Sequence, residues 1–391
     1  MGKRIGTEVS IAVAEAVKLA RVDVISAYPI TPQTHIVEDL SQIVANGELE
    51  AAFIPVESEH SAMSAAVGAA ATGARVYTAT SSQGLALMHE ILFIASSLRL
   101  PMVMTVANRS LSGPISIWND HSDIMAERDI GWVQIFGENG QEIFDLTIAA
   151  FKMAEDKRVL LPVCVNMDGF ILTHMIEPIE VPDQELVDRF LPPFEPAMKL
   201  DPANPVTMGP VGVPEIYTEA KKQCDVALTN SKPVIEEVLQ QWAEIFGRKY
   251  SLIEKNGTEG AETVFVTMGS LGETVMTAIE ELNAEGQSVG QVRIRLWRPF
   301  PKEEFKQAIK GVKRLIVIDR ALCPGSTSGP VAAEIKALLY EESEKPEVIN
   351  VIAGLGGRDV TRKDFKTMLD MALKGEFKDD YTIWGVRSHA E

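Results

Sequence analysis

Cysteine is scarce in this sequence. Three residues, Cys164, Cys224 and Cys323, are spread over 391 positions. No pair has the C-x-x-C spacing of a zinc site, and three separated thiols make no disulfide framework. An iron–sulfur cluster takes four thiolates, so this chain is expected to hold none by itself. Its cysteines read as buried thiols in a reducing compartment. None of the six histidines falls in an H-E-x-x-H pattern, and there is no G-x-S-x-G nucleophile elbow. Positive charge is short as well. Lys and Arg number 37 against 55 Asp and Glu, a net charge of −18. That balance argues against nucleic acid as a partner, because phosphate binding needs a positive surface. No apolar run approaches the roughly 20 residues of a membrane span. Residues Met1–Ile5 bring two basic side chains with no apolar core behind them, so no export signal is expected and a cytoplasmic location is predicted.

What the sequence does have is alternation. Its length suits two or three domains, each with a core. Val9, Ala12, Val13, Ala16, Val17 and Ala20 form one helical stripe. Short apolar runs at 22–27, 52–56, 75–80, 102–107, 132–136 and 160–165 read as strands. Helices are expected between them over about 33–44, 58–71, 84–98 and 142–154. Near-continuous apolar strands alternating with helices predict an α/β fold with a parallel sheet covered on both faces. Residues 176–258 differ. Prolines 178, 182, 192, 193, 196, 202, 205, 210 and 214 predict an extended arm over a neighbour, followed by a helix over about 232–246. A second α/β unit begins near Glu262, with strands at 264–268, 292–297, 314–318 and 348–353 and helices over about 272–284, 302–310, 329–342 and 361–373. The expected domains are residues 1–258, arm included, and 259–391. No internal repeat is evident.

Several stretches are candidates for chemistry. In Tyr28-Pro29-Ile30-Thr31-Pro32 two prolines bracket a threonine directly after a strand. Proline fixes φ and extends the residue before it. The loop is therefore stiff and holds one hydroxyl at the strand's carboxyl end, where open α/β sheets bind ligands; a plain strand-to-helix connector is the alternative. Glu59 opens a helix of small side chains, Ser61 to Ala71. It either serves the helix start as cap or dipole partner or is a buried carboxylate facing a heterocycle. Thr80–Gly84 marks another strand-to-helix turn, with Ser81 or Ser82 as cap and Gly84 permitting close approach. Such a turn can receive an anion, yet no G-x-x-x-x-G-K-S/T or G-x-G-x-x-G motif is present, and Met268–Gly272 has the same look. Arg109 ends the fourth strand and is either a carboxylate clamp or a surface ion pair. Asp120-His121-Ser122-Asp123 reads as a helix N-terminus rather than a metal site.

Taken together and in this order, the chain resembles the α subunits of the heterotetrameric pyruvate:ferredoxin oxidoreductases, within the 2-oxoacid:ferredoxin oxidoreductase family. The matching pieces are Tyr28–Pro32, Glu57–Met63, Thr80–Leu85, Asn108-Arg109, Asp168–Leu172, Leu296–Phe300 and Gly354–Asp359, nearly end to end. The middle residue of Gly6-Thr7-Glu8 departs from the asparagine of many relatives. The resemblance implies a thiamine-diphosphate pyrimidine-binding-type domain followed by a transketolase C-terminal-like domain. It implies thiamine diphosphate with Mg²⁺ held mainly by a β subunit, [4Fe-4S] clusters in partner subunits, and coenzyme A as co-substrate. The partners implied are β, γ and δ subunits, ferredoxin and a small 2-oxoacid. Residue by residue, Glu59 matches the cofactor-activating glutamate, Thr31 and Arg109 match positions that hold the substrate carboxylate, and Tyr28, Pro29, Ser82 and Gln83 lie in the cofactor's vicinity. No metal ligand is carried over. The acid could instead be 2-oxoisovalerate, an aryl glyoxylate, oxalate or 2-oxoglutarate, and a non-catalytic scaffold subunit is the remaining alternative.

Overall fold

A computed structural model describes residues 2–387; residue 1 and residues 388–391, the outer ends of the two expected domains, lie outside the described residues. The elements follow in chain order as β1 (Lys3–Glu8), α1 (Val9–Leu19), β2 (Val24–Ala27), α2 (Thr34–Ala45), β3 (Ala52–Pro55), α3 (Glu59–Ala71), β4 (Val76–Thr80), α4 (Ser82–Ser97), β5 (Val103–Asn108), α5 (Ser122–Ala126), β6 (Val133–Phe136), α6 (Gly140–Glu155) and β7 (Val163–Asp168). Then come β8 (Ile176–Val181), α7 (Gln184–Phe190), α8 (Pro214–Phe246), β9 (Ile253–Asn256), β10 (Thr263–Thr267), α9 (Leu271–Ala284), β11 (Val289–Ile294), β12 (Leu296–Arg298), α10 (Lys302–Ala308), β13 (Arg314–Asp319), α11 (Pro330–Leu339), β14 (Glu347–Ile352), α12 (Arg362–Leu373) and β15 (Thr382–Ile383).

Among the described residues the first large sheet runs β12-β6-β7-β5-β4-β2-β3 and the second β15-β14-β13-β10-β11-β9. Pairing is parallel throughout except at one edge of each, where β12 meets β6 and β9 meets β11 antiparallel. Strands β4, β5, β6 and β7 are buried at every position, as the near-continuous apolar runs require of a sheet covered on both faces. Helix α3 buries Ala62, Ala66 and Ala70, so its backbone lies close against α4.

Three features depart from the pattern read in the sequence. The run expected as a single strand over 292–297 is divided. Strand β11 ends at Ile294, the amides of Arg295 and Leu296 turn to the Leu252 carbonyl, and Leu296–Arg298 joins the other sheet. The second sheet's chain thus contributes an edge strand to the first. Helix α8 begins at Pro214 rather than near 232. Pro214 occupies its first turn, where a fixed φ favours helix and the missing N–H costs nothing. The first half of α8 is mostly exposed, with Ala227 buried and Cys224 and Leu228 half-buried, whereas Val234, Ile235, Val238, Leu239 and Trp242 bury the second half. Finally, part of the presumed arm is a strand. β8 pairs antiparallel with β1, placing Pro178 opposite Gly6, and a two-stranded ribbon is all edge, where proline is tolerated.

A buried charge cluster also joins the two sheets. Glu142 of α6 accepts from Arg293 Nη1 at 3.0 Å and Nη2 at 2.8 Å, and from Arg295 Nη2 at 2.5 Å. Burial opposes ionisation of Glu142, but the two guanidinium groups hold its carboxyl down at about 2. A depressed carboxyl stabilises the fold fully above its unfolded value and loses that contribution as pH falls through the folded one. Glu142→Gln should therefore destabilise the protein at neutral pH by about 3 kcal/mol, the linkage equivalent of the lowered carboxyl, since Arg293 and Arg295 lose their shared buried carboxylate and keep only Glu138 and Glu254. The gap between wild type and variant, followed by denaturant unfolding, should close between the ordinary glutamate value of 4.5 and about 2. A gap that stays constant over that window would contradict the assignment.

Candidate active site at the carboxyl edge of the first sheet

Strands β5, β4, β2 and β3 are parallel neighbours, so the segments that follow them emerge on one edge. The loop after β2 is pinned from beneath. The buried Gln33 amide donates to the Tyr28 carbonyl and to the Ala79 carbonyl of β4, both at 2.9 Å. Pro32 is buried while Thr31 is exposed; the Thr31–Pro32 peptide is cis. Pro32 lies so close to Gly169 that a Cβ there would come within 2.7 Å of its Cγ. Tyr28 is half-buried and Pro29 exposed. Neither makes a side-chain hydrogen bond among the described residues.

Glu59 is the first residue of α3, yet the helix does not use its side chain. Ser58 is the cap, accepting from the Ser61 amide at 3.2 Å. The Glu59 carboxylate turns instead toward β4 and α4. A Cβ on Gly84 would lie 2.7 Å from Glu59 Oε1 and 2.6 Å from Thr80 Oγ1, so glycine is required for the carboxylate to sit there. Glu59 is 7% exposed, and among the described residues no donor lies within hydrogen-bond distance of its carboxylate. The Thr80 and Ser81 hydroxyl oxygens beside it are buried and unpartnered as well. Buried polar groups are normally hydrogen-bonded, so these atoms stand out for lacking a partner among the described residues.

Arg109 is buried to 6% exposure. Its Nη1 donates to the Thr31 carbonyl and its Nε to the Ser116 carbonyl, each at 2.8 Å. Those two bonds fix the plane of the guanidinium without neutralising it. No carboxylate forms an ion pair with it among the described residues, and burial lowers its pKa against the opposing charge of Asp123. The expected meeting of Thr31 and Arg109 is therefore direct, through backbone rather than hydroxyl. A fixed cation with no carboxylate in ion-pair contact among the described residues, beside an exposed threonine, suits a small carboxylate.

Ser82 is not the helix cap. Ser81 holds that position and makes no side-chain cap bond. Ser82 has a φ of 48°, a left-handed conformation that costs a non-glycine residue about 1–3 kcal/mol. Its hydroxyl donates to the Ser110 carbonyl at 2.5 Å and lies 2.6 Å from Gln83 Oε1; the Gln83 amide in turn donates to Ser112 Oγ. The Ser82 amide donates to Asp123 Oδ2 at 3.1 Å.

The segment 119–123 does more than open a helix. A short helix, α5, does start at Ser122, where Asp120 Oδ1 accepts from the Ser122 amide at 2.9 Å, and the carboxylates before and within it also reach elsewhere. Asp120 accepts from Ser110 Oγ at 2.6 Å and from the Gly356 amide of the second unit at 3.1 Å. His121 Nε2 lies 2.8 Å from Asp168 Oδ1, and its amide donates to the Arg320 carbonyl at 2.7 Å. Asp168 itself, 1% exposed, receives Arg320 Nη1 at 2.7 Å, the Ser270 amide at 2.9 Å, Ser270 Oγ, and Asn119 Nδ2 at 3.2 Å. Burial opposes its charge, but Arg320 and His121 hold the carboxyl far below its ordinary range. The Met268–Gly272 turn can indeed receive an anion, and Asp168 of the same chain occupies it. Asp120, Asp123, Asp168 and Arg320 escaped the sequence reading as working residues. The cluster of two aspartates and a histidine was the one visible signal. Among the described residues no group of three or more His, Cys, Asp or Glu side chains is placed to hold a metal ion.

Comparison with known proteins agrees along the whole chain. Residues 15–240 match the family described as "Pyruvate flavodoxin/ferredoxin oxidoreductase, thiamine diP-bdg", and residues 261–365 match "Pyruvate:ferredoxin oxidoreductase core domain II". The pyruvate synthase subunit PorA of Methanocaldococcus jannaschii is 54% identical over 95% of each chain. The ketoisovalerate oxidoreductase subunit VorA of Pyrococcus abyssi is 46% identical over 92% of this chain and 91% of its own. Among solved structures, the fold is that of a 2-oxoglutarate:ferredoxin oxidoreductase from Magnetococcus marinus, with a TM-score of 0.70 and 22% identity. That match covers 96% of this chain but 66% of the other. A split-gene transketolase shares the fold at a TM-score of 0.52 and 13% identity, over 95% of this chain and 99% of its own.

The seam at Asp168 makes a prediction of its own. Asp168→Asn leaves the Arg320 charge buried without its partner, an uncompensated state that is strongly unfavourable. Amide exchange at Ser270 and His121 should rise at least about tenfold through local opening, while α12 stays protected. Unchanged exchange at both amides would show that the carboxylate does not hold the two units together.

Proposed function

The chain belongs to the pyruvate flavodoxin/ferredoxin oxidoreductase family, and on that footing we propose that it is the catalytic α subunit of a pyruvate:ferredoxin oxidoreductase. The reaction is the oxidative decarboxylation of pyruvate with coenzyme A to acetyl-CoA and CO₂, with electrons passed to ferredoxin. The observation that carries this reading is the contrast between two groups on one sheet edge. Glu59 is a buried carboxylate without a donor, and Arg109 is a buried cation that faces only carbonyls. One asks for a hydrogen-bond donor on a ligand, the other for an anion.

Thiamine diphosphate fits the first group. The Glu59 carboxylate, seated against Gly84 and without a donor from the described residues, is what a flat heterocycle with ring nitrogens and an amino group would partner. When bound, the cofactor supplies the carbon nucleophile for the 2-oxo group and the electron sink for loss of CO₂. Glu59 would hold and exchange a proton at the pyrimidine N1′. Its burial keeps water from competing for that bond. Arg109, already oriented by Thr31 and Ser116, would bind the 2-oxoacid carboxylate through its remaining donors. The exposed Thr31 side chain would add a hydroxyl, and the pair would fix the angle at which the neighbouring carbonyl is presented. Tyr28, Pro29, Ser82 and Gln83 would line the approach.

The rest of the machinery is assigned to partner subunits. A β subunit would hold the pyrophosphate and its Mg²⁺, and [4Fe-4S] clusters would sit in β and δ, with γ completing the assembly. Three scattered cysteines support placing the clusters outside this chain, and the curated relatives are themselves named as subunits. Cytoplasmic coenzyme A and ferredoxin pools would serve it. A second reading keeps the chemistry and changes the acid to 2-oxoisovalerate, which the VorA relative favours.

The test is to co-purify the chain with its partners and assay viologen reduction with coenzyme A and a panel of 2-oxoacids. Pyruvate should give the highest kcat/KM, whereas a clear preference for 2-oxoisovalerate would move the assignment to the second reading. In the same assembly Glu59→Gln should lower turnover by about 10²–10⁴-fold, the range for losing a positioned acid–base group, with the complex intact by size. Near-normal turnover in that variant would remove Glu59 from the chemistry.

A further inference from the structure

The carboxylate of Asp123 is 1% exposed and accepts four hydrogen bonds. Oδ2 receives the Ser82 amide at 3.1 Å and the Arg109 amide at 2.9 Å. Oδ1 receives Asn108 Nδ2 at 3.1 Å and the Ile124 amide at 2.7 Å. Three of these donors come from outside its own helix, from the ends of β4 and β5. A residue serving only α5 would bond to the amides of that helix. Asp123 instead ties together the two strand-end turns of the candidate site, and a single oxygen, Oδ2, holds the amides of both.

Resting on the reading above, we propose that Asp123 is the positioning residue of the 2-oxoacid carboxylate clamp. Its buried carboxylate locks the backbone of Ser82 and Arg109 into the arrangement that places the Arg109 guanidinium beside Thr31. It does not touch the substrate. Its action runs through two bonded paths. In the first, the Arg109 amide is held directly, so the side chain leaves the strand from a fixed point and reaches the Thr31 and Ser116 carbonyls. In the second, the Ser82 amide is held in its left-handed conformation, and the Ser82 hydroxyl then anchors the Ser110 carbonyl, one residue beyond Arg109. Asp120 braces the same turn from the other side through Ser110 Oγ. Every neighbour of the Asp123 oxygens is a donor. An acceptor-only group is therefore needed, and an amide of the same shape would turn its own N–H toward other N–H groups. Burial pushes this carboxyl up to about 7, and its four hydrogen bonds oppose that rise.

The experiment uses the co-purified complex carrying Asp123→Asn, with KM measured for the 2-oxoacid that wild type oxidises best and separately for coenzyme A. Loss of the positioning bonds should raise KM for the 2-oxoacid about tenfold or more and leave KM for coenzyme A unchanged. A merely structural role would reduce the amount of assembled enzyme, and hence apparent kcat, without moving either KM. An unchanged 2-oxoacid KM in the assembled variant overturns the proposal. Should Asp123→Asn not assemble, Asp123→Ser, which keeps an acceptor and admits a water, goes through the same assay. If neither assembles, Asp123 is a folding determinant and the positioning role falls. Wild-type complex that oxidises no 2-oxoacid would instead overturn the function itself, a result read before any variant is compared.

Discussion

The carboxylate of Asp168 lies where the two sheets meet, and much of the molecule's geometry follows from keeping it charged there. A buried carboxylate is tolerated only when paired and hydrogen-bonded. Asp168 meets that condition with groups from both units: His121 and Asn119 from the first, Arg320 and Ser270 from the second. Its partners thus bridge the two units. Glu142 with Arg293 and Arg295, and the strand that the second unit's chain lends to the first sheet, act in the same sense. Because Asn119 and His121 belong to the segment that also carries Asp120 and Asp123, the seam and the site edge are one connected hydrogen-bond network. The second unit is thus hydrogen-bonded to the candidate site edge of the first.

At several strand-to-helix turns among the described residues the chain supplies its own anion to a helix start. Asp123 meets the start of α4 at the Ser82 amide, Asp168 meets the start of α9 at the Ser270 amide, and Asp319 meets the start of α11 at the Val331 and Ala332 amides. Helix N-termini favour negative charge, and an internal carboxylate uses that preference for structure rather than for a phosphate. Glu59 breaks the pattern. It too sits at a helix start, yet its side chain leaves the helix and ends without a donor. Arg109 is its counterpart of opposite sign. The carboxylates that the fold has satisfied build the scaffold, and Glu59, without a donor, and Arg109, without a carboxylate in ion-pair contact, are the ones a cofactor and a substrate would complete.

Much of this was legible in the sequence, and the reasons for the remainder are physical. Parallel strands announce themselves because both faces are buried and the runs are continuously apolar. Helix α8 did not, since its mostly exposed first half follows directly on a proline-rich segment and reads as a continuation of it. Strand β12 did not because nothing local distinguishes a strand that continues from one that changes sheet; the pairing partner Ile135 is far away in sequence. Thr31, Glu59 and Arg109 could be singled out because loops at strand ends carry ligands and because their motifs occur in order. Asp123, Asp168 and Arg320 could not, because their roles exist only through contacts: Asp168 meets Ser270 and Arg320 across more than a hundred residues. The turn at Thr80–Gly84 shows both sides. Its glycine was readable as a close approach, but what approaches, the Glu59 side chain, was not.

The central claim is that the unpaired guanidinium of Arg109 receives the substrate's carboxylate. The most direct measurement is KM for pyruvate in the assembled complex carrying Arg109→Ala, beside KM for coenzyme A. The account predicts that KM for pyruvate rises about 10–100-fold, the weight of a lost charge-assisted hydrogen bond in a desolvated site, while KM for coenzyme A holds. An assembled Arg109→Ala enzyme that binds pyruvate as wild type does would contradict it.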